Sequence, residues 1–162
     1  MTELKEPEFI WKYKACMYRA KVGGNTVMLL IYPSAGERYK DGVKFSEWAV
    51  TLIISRKRAV KELDFNSFNW DRIENVQTGK GSILGLLYAK NALEHFVKVW
   101  LPDYRAGRSG AHTDRVCVKW TDDRRRNIYR RYLGAIGFRD GMTGKDPAPC
   151  MYIDIHTKND RT

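Results

Sequence analysis

The segment from residue 116 to residue 155 constrains the fold of this chain more than any other part of the sequence. Residues 116–120 alternate between apolar and polar side chains, as strands do, and residues 124–138 carry an apolar stripe at helical spacing that stops at Gly137. Residues 150–155 are predicted as another apolar strand. A strand, a helix with a glycine stop and a second strand predict a core that helices and a sheet share.

Strands and tight turns dominate the start of the chain. Residues 9–20 and 26–32 are predicted as two strands joined at Gly23-Gly24, because glycine accepts the positive φ of a hairpin turn. Residues 48–54 are predicted as a third strand, apolar on both sides, so we expect helices to cover the sheet.

The hydrophobic period changes at Ser82. Apolar residues then recur at helical spacing as far as Trp100, and Pro102 is expected to end this helix. Residues 104–114 are predicted as a flexible polar loop, whereas residues 55–77 have no clear period. The order predicts a mixed α/β (α+β) fold with a mainly antiparallel sheet, in which a three-strand meander precedes helix, strand, helix and strand.

Length and composition favour one domain over residues 1–162, because 162 residues with 43% hydrophobic side chains suffice for one core. No window approaches the roughly 20 apolar residues of a transmembrane helix, and the first residues lack the pattern of a signal peptide. We therefore expect no membrane partner and a cytoplasmic location. The three cysteines are predicted as buried, reduced thiols, and no histidine or cysteine spacing predicts a metal site.

The formal net charge is +10, from 29 lysines and arginines against 19 acidic residues. This excess favours an anionic partner: nucleic acid, a nucleotide cofactor or an acidic protein. A solvated surface that keeps the protein soluble explains the same charge.

One short motif has the composition of an anion site. Gly79, Lys80, Gly81 and Ser82 open the predicted long helix, where free backbone N–H groups and a lysine suit a phosphate or pyrophosphate. A glycine-rich turn before a helix is also common punctuation, and the Walker spacing is absent.

Together with residues 132–138, this turn resembles the GCN5-related N-acetyltransferase superfamily. That family has a meander, a glycine-rich pyrophosphate loop opening a long helix, a strand, and a helix that ends in a leucine-glycine-phenylalanine-like motif before another strand. Here Gly79-Lys80-Gly81 looks like the loop, and the run from Tyr132 to Phe138 looks like the second motif. The resemblance covers roughly residues 48–155 and implies an acyl-CoA N-acyltransferase-like fold. The compact length is similar to that of phage-encoded members, for which the location would be the host cytoplasm.

The resemblance also implies a reaction, namely acetyl transfer from acetyl-CoA to an amine on a small molecule or a protein. The motif at residues 79–82 would hold the pyrophosphate, the acceptor would attack where two strands splay apart, and Tyr132 would protonate the departing thiolate. Glu47 and Glu62 are the candidate bases. Whether catalysis is retained or degenerate stays open, and Tyr132 has an alternative role as a core aromatic.

A second class of function competes with this one. Two arginine-rich clusters, interleaved with or near aromatic residues, have the composition of a nucleic-acid-binding or host-interaction protein without enzymatic activity. Arginine on the outer face of an amphipathic helix is the ordinary explanation. The clusters consist of Arg56, Lys57 and Arg58, and of Arg124, Arg125, Arg126, Arg130 and Arg131.

Overall fold

The computed structural model describes residues 4–34, 37–55, 82–107, 110–119, 123–142 and 148–158. The fold is mixed α/β with mostly antiparallel strand pairing. In chain order, its elements are β1 Glu8–Ile10, β2 Ala15–Val22, β3 Asn25–Pro33, β4 Arg38–Lys40, β5 Val43–Ser55, α1 Ser82–His95, a π-helical segment Phe96–Trp100, α2 Leu101–Arg105, β6 His112–Lys119, α3 Asp123–Gly134, β7 Arg139–Met142 and β8 Pro149–Thr157. Within these described ranges, no helix combines the length and apolar character needed to cross a membrane.

The chain divides into two compact units. The first comprises Met1–Ile31 and Thr51–Leu93, and the second comprises Tyr32–Val50 and Glu94–Thr162. Strand β5 contributes residues to each unit, so the division follows packing and not the order of the sequence.

The first unit contains β1, β2, most of β3, the end of β5 and most of α1. Gly23 and Gly24 have φ of +57° and +80°, and Val22 pairs with Asn25, so the predicted hairpin turn is confirmed. Helix α1 packs closely on the sheet, because a Cβ atom at Gly85 would lie 2.9 Å from Ile54 Cδ1. A side chain at that position would push the helix away from the strands.

The first predicted strand was wrong as a single element. The chain turns at residues 11–14, where the Tyr13 N–H donates to the Ile10 carbonyl at 3.2 Å and Lys14 has φ of +50°. Strands β1 and β2 then pair as an antiparallel hairpin, with Phe9 opposite Cys16. Aromatic side chains continue the apolar pattern through this turn, although Trp11 is 75% exposed, and this concealed the break.

The second unit contains strands that pair in both directions. Strand β5 pairs with β6 in parallel, while β4 with β5, β6 with β8, and β7 with β8 are antiparallel. The prediction lacked β4 and β7 and began β5 at residue 48. Asp41-Gly42, with φ of +52° and +80°, forms the hairpin turn that joins β4 to β5.

The predicted stop at Pro102 was wrong. Leu101 donates its N–H to the Phe96 carbonyl, five residues earlier, and the chain continues into α2 as far as Arg105. Proline is tolerated in the first turn of α2, where its missing N–H costs little. The prediction of a loop over residues 104–114 is therefore wrong at both ends, since residues 104 and 105 are helical and His112 begins β6.

Helix α3 ends at Gly134, three residues before the predicted stop, and Gly137 has the left-handed conformation that the sequence predicted. The Leu133 carbonyl accepts hydrogen bonds from Ile136 N at 3.0 Å and Phe138 N at 3.1 Å, and Gly137 has φ of +103°. Leu133, Ile136 and Phe138 are buried. This termination turns the chain directly into β7.

Candidate functional site

Five side chains on β5, α2 and β6 form a buried polar cluster in the second unit, which we call the Asp114 network. It consists of Ser46, Trp48, Arg105, His112 and Asp114. Asp114 has no solvent-exposed surface and accepts from Trp48 Nε1 at 2.9 Å and from Arg105 at 2.8 and 3.1 Å. Both carboxylate oxygens are thereby engaged, as a buried charge requires.

Strand register explains why these residues meet. Ser46 lies opposite Asp114 in the parallel β5–β6 ladder, and side chains two residues apart share a face. His112 and Asp114 therefore point to the same side of β6 as Val116, while α2 brings Arg105 onto that side. The sequence prediction missed the network. The sequence pattern that could have indicated it is a set of polar residues at alternate positions of the strand, on the same side as its buried apolar residues.

The network resembles a hydrolytic triad in composition but not in geometry. Ser46 Oγ and His112 Nε2 are hydrogen-bonded at 2.9 Å, yet the same Nε2 lies 3.6 Å from Asp114 Oδ1. In a triad the carboxylate binds the other ring nitrogen and is not neutralised by an arginine. The arrangement therefore fixes α2 against the β5–β6 pair and does not activate Ser46.

His112 is expected to make the stability of the chain depend on pH. Burial lowers the pKa of His112 below its ordinary value of 6.5, and the neighbouring Asp114 carboxylate opposes that shift. Because the unfolded chain then binds the proton more tightly, the free energy of unfolding should fall as the pH drops below about 6.5. Urea titrations from pH 7.5 to 5 should show this fall for the native chain and a flatter profile for His112→Gln. Equal slopes for the two proteins would contradict the assignment.

A second buried cluster lies on the opposite face of β5 and β6. Glu47 accepts from the Cys117 thiol at 3.7 Å and forms an ion pair with Arg38 at 3.7 Å. The neighbouring Cys150 and burial both raise the pKa of the Cys117 thiol, which therefore stays protonated. Glu47, one of the two predicted bases, is thus a buried carboxylate with a thiol and a cation as neighbours.

The parallel ladder ends beside this cluster. Its last pair is Ala49 with Cys117, whereas β6 continues to Lys119, which pairs with Cys150 on β8. Strand β5 also continues beyond Ala49, to Ser55. Strands β5 and β6 therefore stop pairing with each other although each of them continues.

The other predicted acetyl-transfer residues are placed less completely. Glu62, Gly79, Lys80 and Gly81 lie outside the described residues, and Ser82 is the first residue of α1. Tyr132 is half-buried on α3. Among the described residues, Glu47 interacts with Cys117 and Arg38 and not with Tyr132.

The predicted basic clusters are described only in part. The segment 56–58 and the side chains of residues 124 and 125 lie outside the described residues. Arg130 donates to Asp140 at 2.7 Å, Arg131 is exposed and Arg126 is half-buried. The described arginines of α3 therefore differ in exposure and include one that is already paired with an acid.

Among the described residues, no group of three or more histidine, cysteine or acidic side chains is arranged to hold a metal ion. No protein-family model, curated protein or solved structure matches this chain.

Proposed function

We propose that this chain is a compact acyl-CoA N-acyltransferase-like protein that transfers an acetyl group from acetyl-CoA to an amine. The observation that carries the proposal is the parallel β5–β6 ladder, whose pairing ends at Ala49 and Cys117 while both strands continue. In the N-acetyltransferase superfamily that the chain resembles, the acceptor attacks the thioester where two strands splay apart.

The order of elements supports the same function. A meander leads into β5, α1 begins at Ser82, the last residue of the glycine-rich motif, and β6 follows. Helix α3 then closes at the leucine-glycine-phenylalanine-like motif before β7 and β8. This sequence of elements agrees with the resemblance over residues 48–155.

The proposed chemistry requires an anion site, a base and an acid. The N–H groups of Gly79, Gly81 and Ser82, with Lys80, would bind the pyrophosphate of acetyl-CoA. Glu47 lies two residues before Ala49, where the ladder ends. It would take the proton of the amine directly or through water. The C–N bond forms as the C–S bond breaks, and Tyr132 would deliver a proton to the departing thiolate.

Acetyl-CoA binding is the direct test. A ligand that binds only the folded state raises the melting temperature, so calorimetry and thermal shift with acetyl-CoA should both report an interaction. No stabilisation at millimolar acetyl-CoA would overturn the proposal. Binding without acetyl transfer to any amine would identify a member with degenerate catalysis.

Gly81→Asp should weaken acetyl-CoA binding by about tenfold or more, because a carboxylate at a helix N-terminus repels the pyrophosphate and blocks its approach. Asn91→Asp is the matched control, since it adds one negative charge at an exposed position farther along α1. Calorimetry of both variants should separate them. Equal affinities would show that the motif at residues 79–82 does not hold the cofactor.

A further inference from the structure

Arginine and aromatic side chains alternate across one face of the sheet in the second unit, and we call them the arginine–aromatic row. Guanidinium carbons lie 4.8 Å (Arg38) and 5.6 Å (Arg115) from the centroid of the Phe45 ring. The Tyr152 ring has Arg115 at 4.4 Å and Arg139 at 5.4 Å. The row thus runs over β4, β5, β6, β8 and β7.

Register places the row on a single face. Arg38 is opposite Phe45, and Tyr152 is opposite Arg139. Arg115 lies on the same side of β6, because its neighbour across the strands, Asp154, is two residues from Tyr152. Trp48 and Asp114, which contact the helical segments of this unit, lie on the other face. The row is therefore separate from the Asp114 network.

The row holds guanidinium groups in fixed orientations. A guanidinium that stacks on a ring keeps its N–H edge for another ligand. Arg115 uses two nitrogens on Asp154, at 2.7 and 2.9 Å, whereas Arg139 is exposed and the Arg38 side chain is 46% exposed. One nitrogen of Arg38 also lies 3.7 Å from Glu47, so the outer members of the row present their remaining donors to solvent.

Charge complementarity defines the ligand. Three arginines, with Lys40 and Lys119 beside them on the same face, outnumber the carboxylates of Glu47 and Asp154. Planar guanidinium donors suit phosphate oxygens, and four inter-strand steps of about 4.8 Å give the row a length of roughly 19 Å. That length exceeds one phosphate group and matches a run of several.

We propose that the arginine–aromatic row binds the phosphate backbone of a single-stranded nucleic acid. The cations form one row, which suits one phosphodiester chain, whereas a duplex presents two. Since arginines lie over the two rings, the face offers donors to phosphates and little ring surface to bases, so binding should not depend on sequence. The inference does not rest on acetyl transfer and uses none of the residues of the predicted basic clusters.

Fluorescence anisotropy of a labelled 20-nucleotide oligo(dT) should test this proposal with the full chain. At 50 mM salt, Arg139→Gln and Arg38→Gln should each weaken binding by about three- to tenfold and should reduce the salt slope by about 1. Arg131→Gln is the matched control, because it removes one exposed arginine from α3 and changes the net charge equally. Its affinity should remain within about twofold of the native chain. Thermal melting of each variant verifies that it is folded.

Several outcomes would overturn the proposal. Equal losses in the three variants would mean diffuse attraction by the net charge, and a larger loss in Arg131→Gln would assign binding to α3. Tighter binding of a 20-base-pair duplex would contradict the single-strand assignment. Competition by poly-glutamate as effective as that by oligo(dT) would favour an acidic protein, and absence of binding at 50 mM salt would remove the site altogether.

Discussion

Replacing Asp114 with asparagine is expected to lower the free energy of unfolding by about 3–5 kcal/mol. The carboxylate has no exposed surface, and the guanidinium that it neutralises belongs to Arg105, which is 3% exposed. Asparagine preserves the shape of the side chain, so the loss does not come from a cavity. It comes from a buried cation that keeps only the half-exposed Glu37, 3.8 Å away, as a counter-charge. The Trp48 N–H loses its charged acceptor in the same variant.

Urea denaturation can measure this loss against a matched surface pair. Asp140 accepts from Arg130 at 2.7 Å, a distance similar to that of the buried pair, but the two side chains are 52% and 43% exposed. Asp140→Asn should therefore cost less than about 1 kcal/mol. If Asp114→Asn cost no more than Asp140→Asn, the network would not be a major source of stability.

Local patterns predicted the elements that depend on neighbouring residues. The hairpin at Gly23-Gly24, the start of α1 at Ser82 and the glycine stop of α3 each follow from a few adjacent residues. Strand β7 and the short strand β4 escaped detection, because strands of three or four exposed or half-exposed residues carry little hydrophobic signal.

The prediction was wrong where tertiary packing overrides a rule that holds for an isolated helix. Proline is a reliable stop in isolated helices, but Pro102 follows a π-helical segment and α2 continues for one turn. That turn carries Arg105 to Asp114. The network therefore depends on Arg105, at the end of α2, and on the start of β6 at His112. Both lie in the segment that was predicted as a loop.

Prediction of the site was limited in a different way. Glu47 borders a predicted strand, and the structure gives it two neighbours, Arg38 and Cys117, that no local pattern indicates. Contacts of this kind arise from the parallel pairing of β5 with β6, whose partners lie about 70 residues apart in the chain. Periodicity identifies the strands and not their register.

The two buried clusters have complementary positions in the second unit. The Asp114 network fixes one face of the β5–β6 pair, while Glu47 and Cys117 occupy the other face beside the end of the ladder. A carboxylate proposed as a base needs a backbone that does not move, and the network supplies that support from the opposite side of the same residues. Loss of the network should therefore shift the position of Glu47, although the side chains of the network lie on the opposite face of the strands.

Phe96→Ala is expected to lower the free energy of unfolding by about 3–5 kcal/mol. Phe96 is fully buried, stacks on Trp100 at 5.2 Å between ring centroids and meets Trp48 edge-on at 5.4 Å. Truncation leaves a cavity beside Trp48, whose indole N–H binds Asp114, so the variant also loosens the network.

Trp11→Ala is the control, because it removes a larger aromatic side chain that is 75% exposed. Its cost should stay below about 1 kcal/mol, since little of the surface that it deletes leaves water on folding. Chemical denaturation of both variants compares the two directly. A Phe96→Ala loss as small as that of Trp11→Ala would mean that the aromatic contacts of the π-helical segment do not hold it to β5, and the support proposed for Glu47 would lose its basis.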